Sequence, residues 1–166
     1  MSTHLEETAV STAVERLTFT GRPGVPTQVG PFCHATRWGG LLMLTGQMPT
    51  DPDTGALVPG GLIPETRQVL RNLQAVVREA GARWDDILMV RVYLTDFDDF
   101  DAFNAEYRQW FPAGLPARTC VGVTGLAVGA CVEIDLVVAD TAGSAPASTT
   151  LSTPAPAAAP SDGATR

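Results

Sequence analysis

The sequence has few basic residues and no long apolar run. Its 166 residues carry 11 Lys and Arg against 18 Asp and Glu, so the formal net charge is −7. Nucleic acids and anionic membranes are bound mainly through clustered basic side chains, so we expect neither as a partner. No stretch approaches the roughly 18 to 20 apolar residues that cross a bilayer. The acidic N-terminus lacks the apolar segment of a secretory signal, and we expect a cytoplasmic protein.

Cysteine is also scarce, and the usual motifs for metals and phosphates do not occur. The three cysteines, Cys33, Cys120 and Cys131, form no CxxC pair, so neither a disulfide framework nor a zinc site is predicted. We expect reduced thiols that pack as small apolar groups. Gly39-Gly40 is not part of a GxGxxG or GK[ST] pattern and indicates a turn. No metal or organic cofactor is expected.

Composition divides the chain into three segments. Residues 1–16 are polar and lack a pattern, and we interpret them as an N-terminal extension. Residues 141–166 are almost entirely Ala, Ser, Thr, Pro and Gly. Such a segment cannot bury enough apolar surface to offset its ordering entropy, so it is predicted to be a disordered tail. The folded domain is then 17–140.

Within this domain, apolar strands alternate with two helices. The pattern predicts a hairpin over 37–46, a tight turn at 51–55, a helix over 64–80, and a strand over 87–94. A second helix is predicted over 98–111, with its N-terminus capped by the acids Asp96, Asp98 and Asp99. Its aromatic stripe should pack in the core. Strands over 117–124 and 131–139 complete an α+β fold with both helices on one face of the sheet.

The last two strands contain the candidate chemistry. Arg118 alternates with apolar neighbours in the first, while Glu133 and Asp135 alternate with apolar residues in the second. If both apolar faces lie under the helices, these three side chains emerge together on the uncovered face. Arginine binds carboxylates in a bidentate manner, and a carboxylate can activate water. The alternative is a structural ion pair between Arg118 and Glu133 on a solvated or subunit-facing surface.

Short motifs occur in a fixed order over residues 26–140. The most specific are Leu115-Pro-Ala-Arg-Thr-Cys-Val121 and Val132-Glu-Ile-Asp135. They are preceded by Gly30-Pro-Phe-Cys-His-Ala35, Thr45-Gly-Gln-Met-Pro49, Asp51-Pro-Asp-Thr-Gly55, Thr66-Arg-Gln-Val-Leu-Arg-Asn-Leu73, Val92-Tyr-Leu-Thr-Asp96 and Phe100-Asp-Ala-Phe-Asn-Ala-Glu-Tyr107. Together they resemble the reactive intermediate deaminase family, also called the YjgF-type family.

The resemblance implies a chorismate-mutase-like α+β fold that assembles as a homotrimer with a central barrel and three clefts between subunits. It implies cofactor-independent hydrolysis of 2-aminoacrylate or its imine tautomer to a 2-keto acid and ammonia. By the same resemblance, Arg118 clamps the substrate carboxylate and Glu133 positions the attacking water. Cys120 and Asn104 lie near the cleft.

Two positions depart from the family pattern and two further residues have alternative roles. Phe32 replaces the usual tyrosine, and Thr45 replaces the usual serine, so the cleft should be more apolar. A 2-aminomuconate-type substrate, a biosynthetic reaction on the same scaffold, and a non-catalytic ligand-sensing trimer are the alternatives. His34 is a second candidate proton donor. Asp135 is interpreted as a salt-bridge or trimer-contact residue.

Overall fold

The computed structural model describes residues 13–140, which form one mixed sheet with two α-helices. The elements are β1 (Glu15–Leu17), β2 (Ala35–Trp38), β3 (Leu41–Gln47), α1 (Leu62–Glu79), β4 (Ile87–Leu94), α2 (Phe100–Tyr107), β5 (Ala117–Gly122) and β6 (Val132–Ala139). The strand order is β1-β2-β3-β6-β4-β5. Neighbouring strands are antiparallel except for the parallel pair β4 and β5. The predicted α+β class is therefore confirmed.

Most of the elements lie where the sequence predicts them. The hairpin of β2 and β3 turns at Gly39-Gly40, where both glycines have positive φ. The turn after β3 is held by Oδ1 of Asp51, which accepts the backbone N–H groups of Asp53 and Thr54. Strand β1 was not predicted; it begins at Glu15 and brings two residues of the N-terminal extension into the sheet. The proposed tail 141–166 lies outside the described residues.

The core lies between the two helices and one face of the sheet. Helix α1 contributes its apolar stripe, including the fully buried Val69, Leu70 and Leu73. The strands contribute every second residue, because alternate side chains point to opposite faces. In β6 these are Val132, Ile134, Leu136 and Val138, all at 0% exposure. This face of the sheet is consequently inaccessible to solvent at β6, and a polar side chain on it must find its hydrogen-bond partners in the helix layer.

Helix α2 is shorter than predicted, and its start is not capped as predicted. A 3₁₀ turn over Arg108–Trp110 replaces its last α-helical turn before Pro112. Asp99 occupies the N-cap position but makes no side-chain cap hydrogen bond. Its φ of −79° and ψ of 2° are outside the extended region from which a cap reaches the helix N–H groups. Asp96 instead accepts the N–H of Asp98 at 2.9 Å.

The opposite face of the sheet has no helix over it among residues 13–140. Strand register places Met43, Val137, Met89 and Ala117 in one apolar row across this face. Met43 is 38% exposed and Val121, further along β5, is 40% exposed. None of the helices in the described part of the chain is long and apolar enough to cross a membrane.

The loop between β5 and β6 contains one strained residue, which gives a stability prediction. Val128 has φ 53° and ψ 12° and is 48% exposed. This left-handed conformation is unfavourable for a β-branched residue and is tolerated by asparagine. We expect Val128→Asn to raise the free energy of unfolding by about 1 kcal/mol in urea denaturation.

The matched control is Val14→Asn, since Val14 is 51% exposed and has no positive φ. An exposed position without strain should change stability by less than about 0.5 kcal/mol. A loss of stability in Val128→Asn would contradict the assignment of strain.

Candidate active site

Arg118 projects from the edge strand β5 onto helix α2. Its guanidinium carbon lies 4.7 Å from the ring centroid of Tyr107, 5.6 Å from that of Phe103 and 5.7 Å from that of Phe100. These separations are within the range of favourable cation–π contacts, about 6 Å. The predicted aromatic stripe of α2 is therefore core packing, as expected, and also surrounds the arginine.

One polar contact orients Arg118 and leaves most of its donors free. Nη2 donates to Oδ1 of Asn104 at 2.7 Å. Among residues 13–140 no carboxylate lies within ion-pair distance of it. A guanidinium has five N–H donors in a planar fork that matches a carboxylate. The side chain is thus held in place while remaining available to an anion.

A cavity of about 350 Å³ opens beside this guanidinium. It is lined by Asn104, Tyr107, Arg108, Leu115, Pro116 and Arg118. The Tyr107 hydroxyl is buried and has no hydrogen-bond partner among the described residues. Burial raises the pKa of Tyr107 to about 12, so the ring stays neutral. Nearby on β5, burial raises the pKa of Cys120, which keeps the thiol protonated and a poor nucleophile. Cys120 packs against the core and is not among the residues that line this cavity.

Glu133 lies on the open face, against Gly46 of β3. A Cβ added at Gly46 would overlap the Glu133 carboxylate, lying 2.8 Å from its Cδ. Burial, and secondarily the negative charge of Asp135, raise the pKa of Glu133. A carboxylate with a raised pKa exchanges protons closer to neutral pH, as a general base requires.

Beside Glu133, Asp135 and the two side chains hydrogen-bonded to it form a polar network. Nε of Arg91 donates to Oδ1 of Asp135 at 2.7 Å, and the Tyr93 hydroxyl donates to Oδ2 at 3.2 Å. Asp135 is therefore a salt-bridge partner. The negative charge of Asp135 raises the pKa of Glu133. Both carboxylate oxygens of Asp135 already accept hydrogen bonds, so Asp135 is less suited than Glu133 to act as the base.

Arg118 and Glu133 do not emerge on the same face, and this prediction was wrong. Arg118 pairs in register with the buried Val90 and lies under α2, whereas Glu133 is on the helix-free face. Two strand spacings and three residues separate their Cα atoms, roughly 14 Å. The prediction assumed that β5 buries its apolar side, but at this edge the aromatic rings of α2 and Asn104 accommodate the charge. The alternative of an ion pair between the two residues is excluded within one chain for the same reason.

The remaining candidates divide between the two sides. Asn104 and Cys120 accompany Arg118. Phe32, 40% exposed, lines a small recess of about 10 Å³ that also includes Gly46. Thr45 directly precedes Gly46 in β3, and no hydrogen bond of its side chain among residues 13–140 assigns it to either side. Two separate groups result, which we call the Arg118 half-site, with Asn104, and the Glu133 half-site, with Gly46.

His34 is buried and structural. Its Nδ1 accepts the backbone N–H of Phe19 at 3.0 Å, and Nε2 donates to the carbonyl of Pro26 at 2.9 Å. Both ring nitrogens are occupied, so His34 has no free position from which to transfer a proton. Across residues 13–140, no three His, Cys, Asp or Glu side chains are grouped so as to hold a metal ion.

Reasoning from the sequence missed three residues. Gly46 matters because Glu133 lies against its backbone, a long-range contact that strand patterns do not reveal. Tyr107 was assigned to the core alone. Arg108 was not singled out, although it follows Asn104 at the i+4 spacing that places two residues on one helix face.

Comparisons with known proteins identify the family. The family model described as Endoribonuclease L-PSP matches residues 24–140. The 2-iminobutanoate/2-iminopropanoate deaminase of Capra hircus is 34% identical over 128 residues, covering 77% of this chain and 92% of that protein. The Rid-family protein YyfA of Yersinia pestis has a TM-score of 0.71 and 34% identity, covering 76% of this chain and 99% of the other.

TdcF of E. coli, solved with bound serine, has a TM-score of 0.69 and 30% identity, covering 75% of this chain and 98% of TdcF. The residues matched by the family model include both Arg118 and Glu133. With its fold, its ordered motifs and these relatives in agreement, the chain belongs to the Rid family, also called the YjgF-type or L-PSP family.

Proposed function

We propose that this protein hydrolyses small 2-imino or 2-enamino acids to 2-keto acids and ammonia, without a cofactor. The observation that carries the proposal is the Arg118 guanidinium, held by Asn104 and facing a cavity without an acidic partner in the described chain. Such a site favours a small carboxylate. The deaminase relative from Capra hircus supports the reaction class.

The reaction requires positioning and one proton relay. Arg118 holds the substrate carboxylate, so that the imine carbon faces an ordered water. Glu133 accepts a proton as the water oxygen bonds to that carbon and the C=N electrons move to nitrogen. That proton passes to nitrogen, which gives a tetrahedral adduct with one hydroxyl and one amino group. Glu133 then relays the hydroxyl proton to the amino nitrogen, the C–N bond breaks, and ammonia leaves as the C=O bond forms. Because an imine is already electrophilic, holding the reactants in place accounts for most of the acceleration.

A single subunit cannot place Arg118 and Glu133 on one small substrate, because they are on opposite faces of the sheet. We infer that a cleft between two copies, within a homotrimer, brings the Arg118 half-site of one against the Glu133 half-site of the next. The apolar side chains on the helix-free face support this, since Met43 in the apolar row and Val121 further along β5 are exposed in the isolated chain. Closed symmetry then yields three equal clefts.

The substrate class has a second candidate. Phe32 makes the recess that it shares with Gly46 more apolar than a tyrosine would, which favours a longer enamine such as 2-aminomuconate, or an imine intermediate of biosynthesis. A ligand-sensing trimer without turnover would use the same Arg118 cavity. Hydrolysis of alanine-derived imine in a coupled amino-acid oxidase assay with semicarbazide tests the first candidate, since wild type suppresses the semicarbazone only if it hydrolyses the imine. Turnover of 2-aminomuconate without turnover of the alanine imine would favour the longer enamine, and keto-acid binding in calorimetry without turnover of either would favour the ligand-sensing trimer.

A mixing experiment tests whether the site is shared between subunits. Arg118→Ala and Glu133→Gln should each lose at least about a hundred-fold in kcat/KM, since each removes one essential group. When the two variants are co-expressed, some clefts receive a native Arg118 from one chain and a native Glu133 from the next. Random mixing in a trimer gives such a cleft at about one interface in four, so about a quarter of wild-type activity should return.

The control is co-expression of Arg118→Ala with Arg118→Ala carrying a second tag, which must stay inactive. If the mixed variants recover nothing although mass spectrometry shows mixed trimers, the two residues do not form one site. Recovery without any oligomer in sedimentation would also contradict the shared cleft.

The contact between Gly46 and Glu133 predicts that a side chain added at Gly46 lowers activity by displacing the Glu133 carboxylate. Gly46→Ala adds a Cβ that displaces the flexible end of Glu133, so the fold should survive while kcat/KM falls by at least about ten-fold. Gly125→Ala is the matched control, because its Cβ would meet nothing within 4 Å and its φ is not positive. Equal activity in the two variants would remove Glu133 from the mechanism.

The raised pKa of Glu133 predicts a pH profile. Activity needs the carboxylate, so kcat/KM should fall as pH decreases through this raised pKa. Asp135→Asn removes the neighbouring negative charge and frees Arg91, and both changes favour the carboxylate. The acidic limb should therefore move to lower pH, measured between about pH 4 and 8. Asp98→Asn, outside the network, should leave the limb in place; a limb that moves upward in Asp135→Asn would identify a different titrating group.

A further inference from the structure

We propose that Arg108 binds a second carboxylate and that the preferred substrates are dicarboxylic imines or enamines. The proposal rests on the function proposed above and adds the substrate class. The observation behind it is that Arg108 and Arg118 line the same cavity, Arg108 from the 3₁₀ turn that follows helix α2 and Arg118 from strand β5.

Helix geometry positions the two cations as a pair. Asn104 and Arg108 are four residues apart in the chain and lie on one face of the α2 segment, about one turn from each other. Asn104 in turn binds Arg118 at 2.7 Å. Arg108 is therefore about one helical turn beyond the group that holds the first guanidinium, a spacing suited to the two ends of a short dicarboxylic acid.

The charge around the cavity is opposite to that of the whole chain. The net charge is −7, yet the cavity has two guanidiniums and no carboxylate in its lining. Within residues 13–140 neither arginine has an acidic partner in ion-pair distance. Six of the other eight arginines there do have one, and the two that do not, Arg16 and Arg71, lie outside this cavity. Two unpaired cations that share a cavity repel each other unless an anion lies between them.

The position of Arg108 at the end of α2 offers a simpler account, since the helix dipole favours a cation there. That account explains the presence of Arg108 but not its sharing of a cavity with Arg118. It also leaves the cavity size unexplained. At about 350 Å³ the cavity is within the usual range for ligand sites, roughly 300–1,000 Å³, whereas 2-iminopropanoate has only a few non-hydrogen atoms.

In the resulting pose, Arg118 binds the carboxylate next to the imine carbon and Arg108 binds the distal one. The imine carbon then faces the Glu133 half-site of the neighbouring copy. The imines derived from aspartate and glutamate have this form, and 2-aminomuconate also carries two carboxylates. The hydrolysis itself is unchanged: water adds, ammonia leaves, and the product is a dicarboxylic 2-keto acid.

The test compares imines from alanine, aspartate and glutamate, generated by amino-acid oxidases and followed as semicarbazones. Wild type should favour the dicarboxylic imines. Arg108→Gln should lose about ten- to a hundred-fold in kcat/KM for them and less than about two-fold for the alanine imine, as expected for removal of one charge-assisted hydrogen bond. The control Arg16→Gln, an exposed arginine on β1 outside the cavity, should change neither.

Equal losses for both substrate types, or no loss, would overturn the proposal. Calorimetry with the product analogues pyruvate and 2-oxoglutarate separates this from failure of the proposed function. If wild type hydrolyses no imine but binds 2-oxoglutarate about ten-fold more tightly than Arg108→Gln does, the dicarboxylate site stands and the hydrolytic function fails. Equal 2-oxoglutarate affinities in the two proteins would overturn the dicarboxylate site itself.

Discussion

The alternation of side chains across a β-sheet is the constraint on which this site depends. Val90 and Arg118 point toward the helices, whereas Tyr93 and Glu133 point away, because odd and even positions of paired strands face opposite sides. The cation proposed to bind substrate and the carboxylate proposed to activate water are thereby on opposite sides of the sheet. The separation makes oligomerisation part of the proposed chemistry, since only a second copy can bring the two surfaces together.

The two half-sites have opposite electrostatic character, each maintained by its surroundings. On the helix side, three aromatic rings and one amide hold Arg118 without neutralising it, so its charge remains available to an anion. On the open side, burial and Asp135 disfavour the ionised form of Glu133. Joining the two surfaces would exclude water from both, which strengthens the attraction between the guanidinium and a bound carboxylate.

Much of the fold could be predicted from local signals. Strand β4 extends over the predicted residues, and the hairpin turn is at Gly39-Gly40, because period-two alternation and glycines with positive φ are local properties. The short strand β1 was missed, since its three residues are ordered by pairing with β2 rather than by their own pattern. The cap of α2 was also wrong, because the backbone of Asp99 does not adopt the conformation that capping requires.

By itself the sequence determined the α+β class, the family motifs and the residue types of the site, including Arg118, Asn104 and Glu133. The fold class follows from periodicity, and the candidate roles of these residues follow from the resemblance of the motifs to the family. Only the tertiary structure decided which face each residue occupies, that Glu133 lies against Gly46, and that Arg108 and Arg118 share a cavity. The physical reason is that the covered side of an edge strand is set by how a distant helix packs on it, and α2 packs its aromatic rings over Arg118.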